Sequence, residues 1–364
     1  MSAAEAAPLL EVEDLKTHYP VRRGLTERFT GRHKRWVHAV DGISFSLGRG
    51  EMLALVGESG CGKTSTAQTI LRMVEPTAGA IRLNGADITT LSQQQMRPLR
   101  RKLQMIYQDP YESLDPRFRV HATVEEPMLV HGIGGSRAQR RELIVEALER
   151  AGLSPAEQFL ERYPHELSGG QRQRVTIAAA LALGPDLLLA DEPVSMLDVS
   201  VRAGVLALLD GLRQDGNMGI LMITHDLSTA AHFADRIAVM YLGRIVEQGP
   251  AKDVVRNPQH PYTKALLSVV PKRDPRDRAT PQILQGETPN PIDIPPGCRF
   301  APRCPLAVER CTAEDPALHV PVAGLAATAA SAGATVPAQP TPATGAGTSA
   351  EPAASAHEAA CLLV

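Results

Sequence analysis

The stretch MLALVGESGCGKTS, residues 52–65, constrains the fold more than any other part of the chain. Its five leading apolar residues do not alternate with polar ones, which suits a strand buried on both faces in a parallel sheet. Three glycines then turn the chain, and a helical pattern follows. Glycine lets backbone N–H groups point inward around an anion, and the start of the next helix adds a favourable dipole. Residues Gly57, Glu58, Ser59, Gly60, Cys61, Gly62, Lys63, Thr64 and Ser65 fit G-x-x-x-x-G-K-[ST] in the strand–loop–helix setting that confirms a phosphate-binding loop. Lys63 would reach the β- and γ-phosphates of a nucleotide, and Thr64 would hold Mg²⁺. The plain alternative, a glycine-rich turn with a chance lysine, does not account for that setting.

Three further apolar runs predict strands of the same kind: LQMIY (103–107), LLLA (187–190) and GILMIT (219–224). Helical patterns lie between them. In SRAQRRELIVEALERAGL, Ser136 and Gln139 form a capping box, Gly152 ends the run, and Leu143, Ile144, Ala147, Leu148 and Ala151 make an apolar stripe. Strands alternating with helices indicate an α/β fold. Each run ends on a polar signal: the glycine loop, Gln108, Asp191–Glu192 and His225. Open α/β sheets bind ligands beyond the carboxyl ends of their strands, so the four signals predict one shared site. An acidic pair at a strand end is common in itself. Beside a phosphate loop, Asp191 is expected on Mg²⁺ and Glu192 on the attacking water. His225 is placed to contact the γ-phosphate or Glu192. In LSGGQRQR (167–174), Ser168 caps a helix and Gln171 completes a capping box, while Gly169 and Gly170 open its N-terminus to a phosphate.

From Pro271 the texture changes to a proline- and charge-rich stretch, followed by PPGCRFAPRCPLAVERC (295–311). Residues 324–356 carry a single charge and almost no large side chains, as expected of a disordered linker. The chain has five cysteines. Cys61 lies in the phosphate loop and needs no special role. Cys298, Cys304, Cys311 and Cys361 leave three alternatives: structural zinc, which usually prefers C-x₂₋₄-C spacing, a [4Fe–4S] cluster, or unpaired thiols.

A formal net charge of −2 gives no basic field for nucleic acid. The N-terminus has no signal-peptide pattern, and no apolar run reaches the length of a membrane span. A cytosolic setting, where thiols stay reduced, is expected.

Taken together, GESGCGKT, LSGGQ, LLLADEP, Gln108, SMLD (195–198) and His225 resemble, in order, the Walker A, signature, Walker B, Q-loop, D-loop and switch histidine of an ABC transporter's ATP-binding subunit. QDPYESLDPR, RYPHELSGGQRQR, NPQHPYTKALLSVVP and the cysteine segment are similar to the oligopeptide/dipeptide importer branch, which includes nickel importers. The resemblance implies a P-loop NTPase cassette at residues 1–270, with a RecA-like core and a helical subdomain near 112–178. It also implies a cysteine-containing extension at 271–320, the linker at 321–356 and a terminal segment at 357–364.

It further implies that Tyr19 stacks on adenine and that Gln108 joins Thr64 and Asp191 at Mg²⁺. ATP would lie between the Walker A loop of one subunit and Ser168, Gly169, Gly170 and Gln171 of a related second subunit, with Glu192, His225, Lys63 and Gln108 serving hydrolysis. Two permeases and an extracytoplasmic binding protein would complete a complex on the cytoplasmic side of the membrane. A small-solute importer is the neighbouring alternative, and a soluble repair or translation ATPase the distant one. Met196 departs from the usual alanine of the D-loop. The basic stretch 22–36 would be a solvated loop or a contact with lipid or a partner. By the same resemblance the four late cysteines would hold a [4Fe–4S] cluster. Closing the roughly fifty-residue loop to Cys361 costs about 3.5 kcal/mol plus a constant, while metal–thiolate ligation can exceed about 10 kcal/mol.

Overall fold

The computed structural model describes residues 7–21, 35–270, 282–284, 286–321 and 356–363. The chain opens on two long strands, β1 (Leu10–Pro20) and β2 (Trp36–Leu47), then β3 (Met52–Val56) and helix α1 (Lys63–Ile70). Next come β4 (Ala78–Leu83), β5 (Ala86–Asp87), α2 (Gln93–Leu99) and β6 (Leu103–Ile106). A run of helices follows: α3 (Pro110–Ser113), α4 (Val120–His131), α5 (Arg137–Arg150), α6 (Glu157–Leu160) and α7 (Gly169–Leu181). Strands and helices then alternate through β7 (Leu187–Asp191), α8 (Val199–Gly216), β8 (Gly219–Thr224) and α9 (Leu227–Phe233). After them lie β9 (Arg236–Tyr241), β10 (Arg244–Pro250), α10 (Ala251–Arg256), α11 (Pro261–Ser268), α12 (Glu309–Ala313) and β11 (Glu358–Ala359).

The central sheet runs in the order β11-β10-β9-β3-β8-β7-β6. The five strands from β9 to β6 are parallel, and β10 and β11 pair antiparallel at one edge. Every residue of β3, β7 and β8 is buried, which is why their sequences run apolar without alternation. Alternate residues serve two cores. Met52, Ala54, Leu188 and Ile220 pack with the helices from α4 to α8. Leu53, Leu55, Leu187 and Leu221 pack with α1 and with a separate antiparallel sheet of order β2-β1-β4-β5. The α/β cassette expected from the sequence is the architecture found.

Helix α5 carries the Ser136–Gln139 capping box and ends before Gly152, whose φ is +75°. Ile144, Ala147, Leu148 and Ala151 of its stripe are buried and Leu143 is partly so, against a cluster that includes Ile177 and Leu181 of α7. Two local expectations need correction. Tyr107 leaves the sheet after Ile106 and is largely exposed, and Asp191 is the last residue of β7 and not the residue beyond it. The linker at 324–356 and the basic stretch 22–36 lie almost wholly outside the described residues.

Candidate active site

Register sets the site. Val56 pairs with Thr224, and Asp191 with Ile223, so β3, β7 and β8 end nearly level. The residues that follow them therefore meet at one edge. A cavity of about 540 Å³ lies there, lined by Val37, Ala39, Ser59, Gly60, Gly62, Lys63, Thr64, Ser65, Gln108, Glu192, His225 and Pro291. The loop around it is tightly seated. A Cβ on Gly62, whose φ is +111°, would fall 2.0 Å from the carbonyl oxygen of Ala39. The Lys63 ammonium donates to the carbonyls of Gly57 at 2.7 Å and Glu58 at 3.0 Å. Cys61 is buried, and burial pushes its thiol pKa up, so it behaves as a packing residue.

Glu192 stands opposite. Its Oε2 accepts from Gln108 Nε2 at 3.2 Å, and its Oε1 lies 3.1 Å from His225 Nδ1. Its own φ is +45°, a left-handed conformation that costs a non-glycine residue on the order of 1 kcal/mol. The turn is held by Glu192 N donating to Ile223 O at 2.9 Å, and by Ser195 Oγ donating to Glu192 O at 3.0 Å. Asp191 is buried behind it. Burial raises its pKa, with the neighbouring Glu192 charge acting the same way, while the Thr64 hydroxyl and Lys63 oppose. Gln108, Glu192, His225, Lys63 and Thr64 are thus gathered around one cavity, with Asp191 behind its wall beside Thr64.

Ser168, Gly169, Gly170 and Gln171 do not line that cavity. They open α7, where Ser168 Oγ accepts from Gln171 N and the Ser168 N–H donates to Gln171 Oε1. Ser168 is exposed, and Met196 and Val199, on the adjoining SMLD turn and the start of α8, are 59% and 80% exposed. Tyr19 pairs with Val37 across β1 and β2, so the two side chains share a face of that sheet, but Tyr19 does not itself line the cavity.

The four late cysteines come together from two directions. Cys298 N donates to Cys311 O at 2.8 Å, and short turns link Cys298 through Ala301 to Cys304. A Cβ on Gly297 would fall 2.4 Å from Cys311 O, so this approach requires glycine. Cys361 arrives on β11, which pairs Ala359 with Glu247 and Glu358 with Gln248, while Ala360 N donates to Val246 O. Burial raises the pKa of Cys298, Cys304 and Cys361. The charges of Cys361 and Cys311 act on Cys298, those of Cys298 and Cys311 on Cys304, and those of Cys304 and Cys311 on Cys361. All six pairs therefore lie within electrostatic reach. All four cysteines are free thiols. No three of their sulfurs approach within 4.8 Å, whereas a single tetrahedral zinc holds its thiolates about 3.8 Å apart.

Sequence reasoning missed Val37, Ala39 and Pro291 in the cavity wall, which have no chemical signature. It also missed Arg299 and Arg303, though both flank cysteines in GCRFAPRC. His18, His38 and Asp41 cluster with ligand atoms within 4.8 Å of one another. The Arg299 guanidinium sits on the other oxygen of Asp41, where it opposes a cation.

The ABC transporter profile matches residues 40–195, and that of the oligopeptide/dipeptide transporter C-terminal region matches residues 246–311. The chain is 46% identical over 319 residues to the oligopeptide transport ATP-binding protein AppF of Bacillus subtilis, spanning 87% of this chain and 95% of that one. It is 47% identical over 322 residues to the dipeptide transport ATP-binding protein DppF of Escherichia coli, spanning 87% and 94%. Among solved structures, the dimeric MJ0796 cassette bound to ADP and Pi superposes with a TM-score of 0.58 at 28% identity, covering 67% of this chain and 99% of that one. CbiO1 of Clostridium perfringens gives 0.59 at 27% identity, covering 69% and 91%.

Proposed function

The chain belongs to the ATP-binding subunits of ABC transporters, in the oligopeptide/dipeptide branch, and on that premise we propose that it hydrolyses ATP to drive import of di- and oligopeptides. One observation carries the mechanism: the Glu192 carboxylate, gripped by Gln108 and His225, faces the Lys63–Thr64 loop across the cavity. We assign Glu192 to polarise the attacking water, with His225 orienting Glu192. Lys63 would bind the β- and γ-phosphates among the N–H groups of residues 57 to 65. Phosphoryl transfer asks a protein mainly for positioning and charge stabilisation, which this set supplies. Mg²⁺, when bound, would neutralise charge on the phosphate oxygens, and Thr64, Asp191 and Gln108 are the side chains assigned to hold it. Tyr19, beside Val37, would stack on the base.

Ser168, which is exposed, and Gly169, Gly170 and Gln171 behind it, all away from this cavity, are assigned to the ATP of a related second subunit packed head to tail. Two permeases and an extracytoplasmic binding protein would complete the importer. Among the described residues no helix is long and apolar enough to cross a membrane, in keeping with a subunit held peripherally on the cytoplasmic side by its permeases. Residues 1–270 would form the cassette, with a helical subdomain near 112–178, and residues 271–320 the extension.

Cys298, Cys304, Cys311 and Cys361 would hold a [4Fe–4S] cluster, which when bound would tie the extension to the sheet edge. Support comes from the convergence of four free thiols from the extension and the terminal segment. Anaerobic purification with iron and sulfide analysis tests this: about four irons per chain are expected, and stoichiometric zinc without iron would overturn it. For the transport reaction, the subunit is reconstituted with its permeases and binding protein. Peptide should stimulate hydrolysis and Glu192→Gln should abolish it. Stimulation by Ni²⁺ in place of peptide would reassign the solute.

A further inference from the structure

The cysteine segment touches the phosphate loop directly. Arg303 lies immediately before Cys304, and its side chain is only 9% exposed. Its Nη1 and Nη2 donate to the two carboxylate oxygens of Glu58 at 2.9 and 3.3 Å, a forked pairing that fixes both partners. Thr288 Oγ1 donates to the same carboxylate at 2.9 Å. The other polar groups of Glu58 are also taken: its N–H donates to the Tyr262 hydroxyl at 3.0 Å, and its carbonyl accepts from Lys63 at 3.0 Å. Arg299, immediately after Cys298, reaches the other end of the loop. Its Nη1 donates to Leu242 O at 2.6 Å, and the next residue, Gly243, donates its N–H to Cys61 O at 2.9 Å. Between the two arginines, Phe300 is fully buried against Tyr241 and Tyr262.

A phosphate loop binds well when its N–H groups and lysine are already aimed before the nucleotide arrives, because less ordering is left for the binding step. Nothing in the loop's own sequence supplies that restraint at Glu58, whose position in the motif accepts any residue. We propose that Arg303 is a positioning residue for the nucleotide site. Through Glu58 it pre-sets the phosphate loop, so nucleotide affinity depends on the order of the C-terminal thiol segment, a role that rests on the loop binding ATP as proposed above. Arg299 braces the same loop at Cys61 through the turn between β9 and β10.

The test is titration of the purified full chain with a fluorescent ATP analogue and Mg²⁺. Arg303→Gln should weaken binding roughly five- to tenfold, the scale of one net intramolecular hydrogen bond. Glu58→Gln should do the same, and the double variant should be no weaker than either single one. Arg303→Lys, which keeps the charge and loses the fork, should recover part of the loss. In the reconstituted importer the change should fall on KM for ATP and leave kcat near wild type, a split that general loosening of the fold would not give. Cys304→Ser should lower affinity in the wild-type background and add nothing to Arg303→Gln. If Arg303→Gln lowers the nucleotide-free melting temperature, Thr288→Val, which removes one bond to Glu58, is the gentler variant, and a loss of about twofold is expected. Wild-type affinity in Arg303→Gln, or strictly multiplicative losses in the double variant, overturns the proposal while leaving the nucleotide site intact. Failure of the wild-type chain to bind nucleotide overturns both.

Discussion

Asp191 and Glu192 are neighbours with opposite requirements. The pKa of Asp191 is raised above its unfolded value, chiefly by burial, so the folded chain holds its proton more readily than the unfolded chain. The stability this contributes is present at low pH and is lost as pH rises through the folded value, so at neutral pH the ionised carboxylate is a cost to the fold. Asp191→Asn is therefore expected to raise the melting temperature of the nucleotide-free chain while abolishing Mg²⁺-dependent ATP binding, as scanning fluorimetry with and without ligand would reveal. A lower melting temperature would mean that its hydrogen bond with Thr64 outweighs desolvation. The role proposed for Glu192 predicts that Glu192→Gln keeps nucleotide affinity within about threefold and lowers turnover by about 10²–10³-fold. Steady-state turnover near wild type would remove Glu192 from the chemistry. These residues were legible in the sequence because each follows an apolar run at a strand end. The pairing of Arg303 with Glu58 was not, because 245 positions separate them and only the packed fold brings them together.

The strands of the parallel sheet were readable for a physical reason: burial on both faces removes alternation and leaves MLALV, LLLA and GILMIT as plain runs. Strand β11 gave no such signal. Two residues cannot announce a strand, and its position is set by β10 and by Glu247, a fully buried carboxylate. Glu247 accepts from the backbone N–H groups of Gln259 and His260, and its Oε1 lies 2.7 Å from His357 Nε2. His260, in turn, caps α11 by accepting from Tyr262 N at 3.1 Å. Burial lowers the His260 pKa from 6.5 to about 4, with Glu247 opposing and Lys264 assisting. A histidine depressed on folding gives stability that is full above its unfolded pKa and is lost as pH falls toward the folded one. Unfolding free energy should therefore drop between pH 6.5 and 4 by up to about 3 kcal/mol from this group. His260→Gln should flatten that limb in urea titrations at several pH values. An unchanged slope would assign the acid sensitivity elsewhere.

At the scale of the molecule, the proposed pairing would use two surfaces: the cavity at the strand ends and the N-terminus of α7, with the exposed Met196 and Val199 beside it. Head-to-tail closure predicts that ATP drives association of Glu192→Gln chains with the sibling subunit, and that Ser168→Arg blocks it without touching this chain's own affinity for nucleotide. Light scattering of the mixed subunits would separate the two effects. Weaker nucleotide binding by Ser168→Arg alone would mean that α7 serves its own cavity. The edge of the central sheet has a different kind of dependence, on time. Strand β10 is capped by residues 358 and 359, more than a hundred positions later in the chain. At ordinary rates of synthesis, roughly 5–20 residues per second, that edge waits on the order of 5–20 s for its neighbour. During that interval the nascent chain exposes an open strand beside an incomplete set of thiols, so the arrival of residues 358 and 359 decides when that edge stops being a target for mispairing.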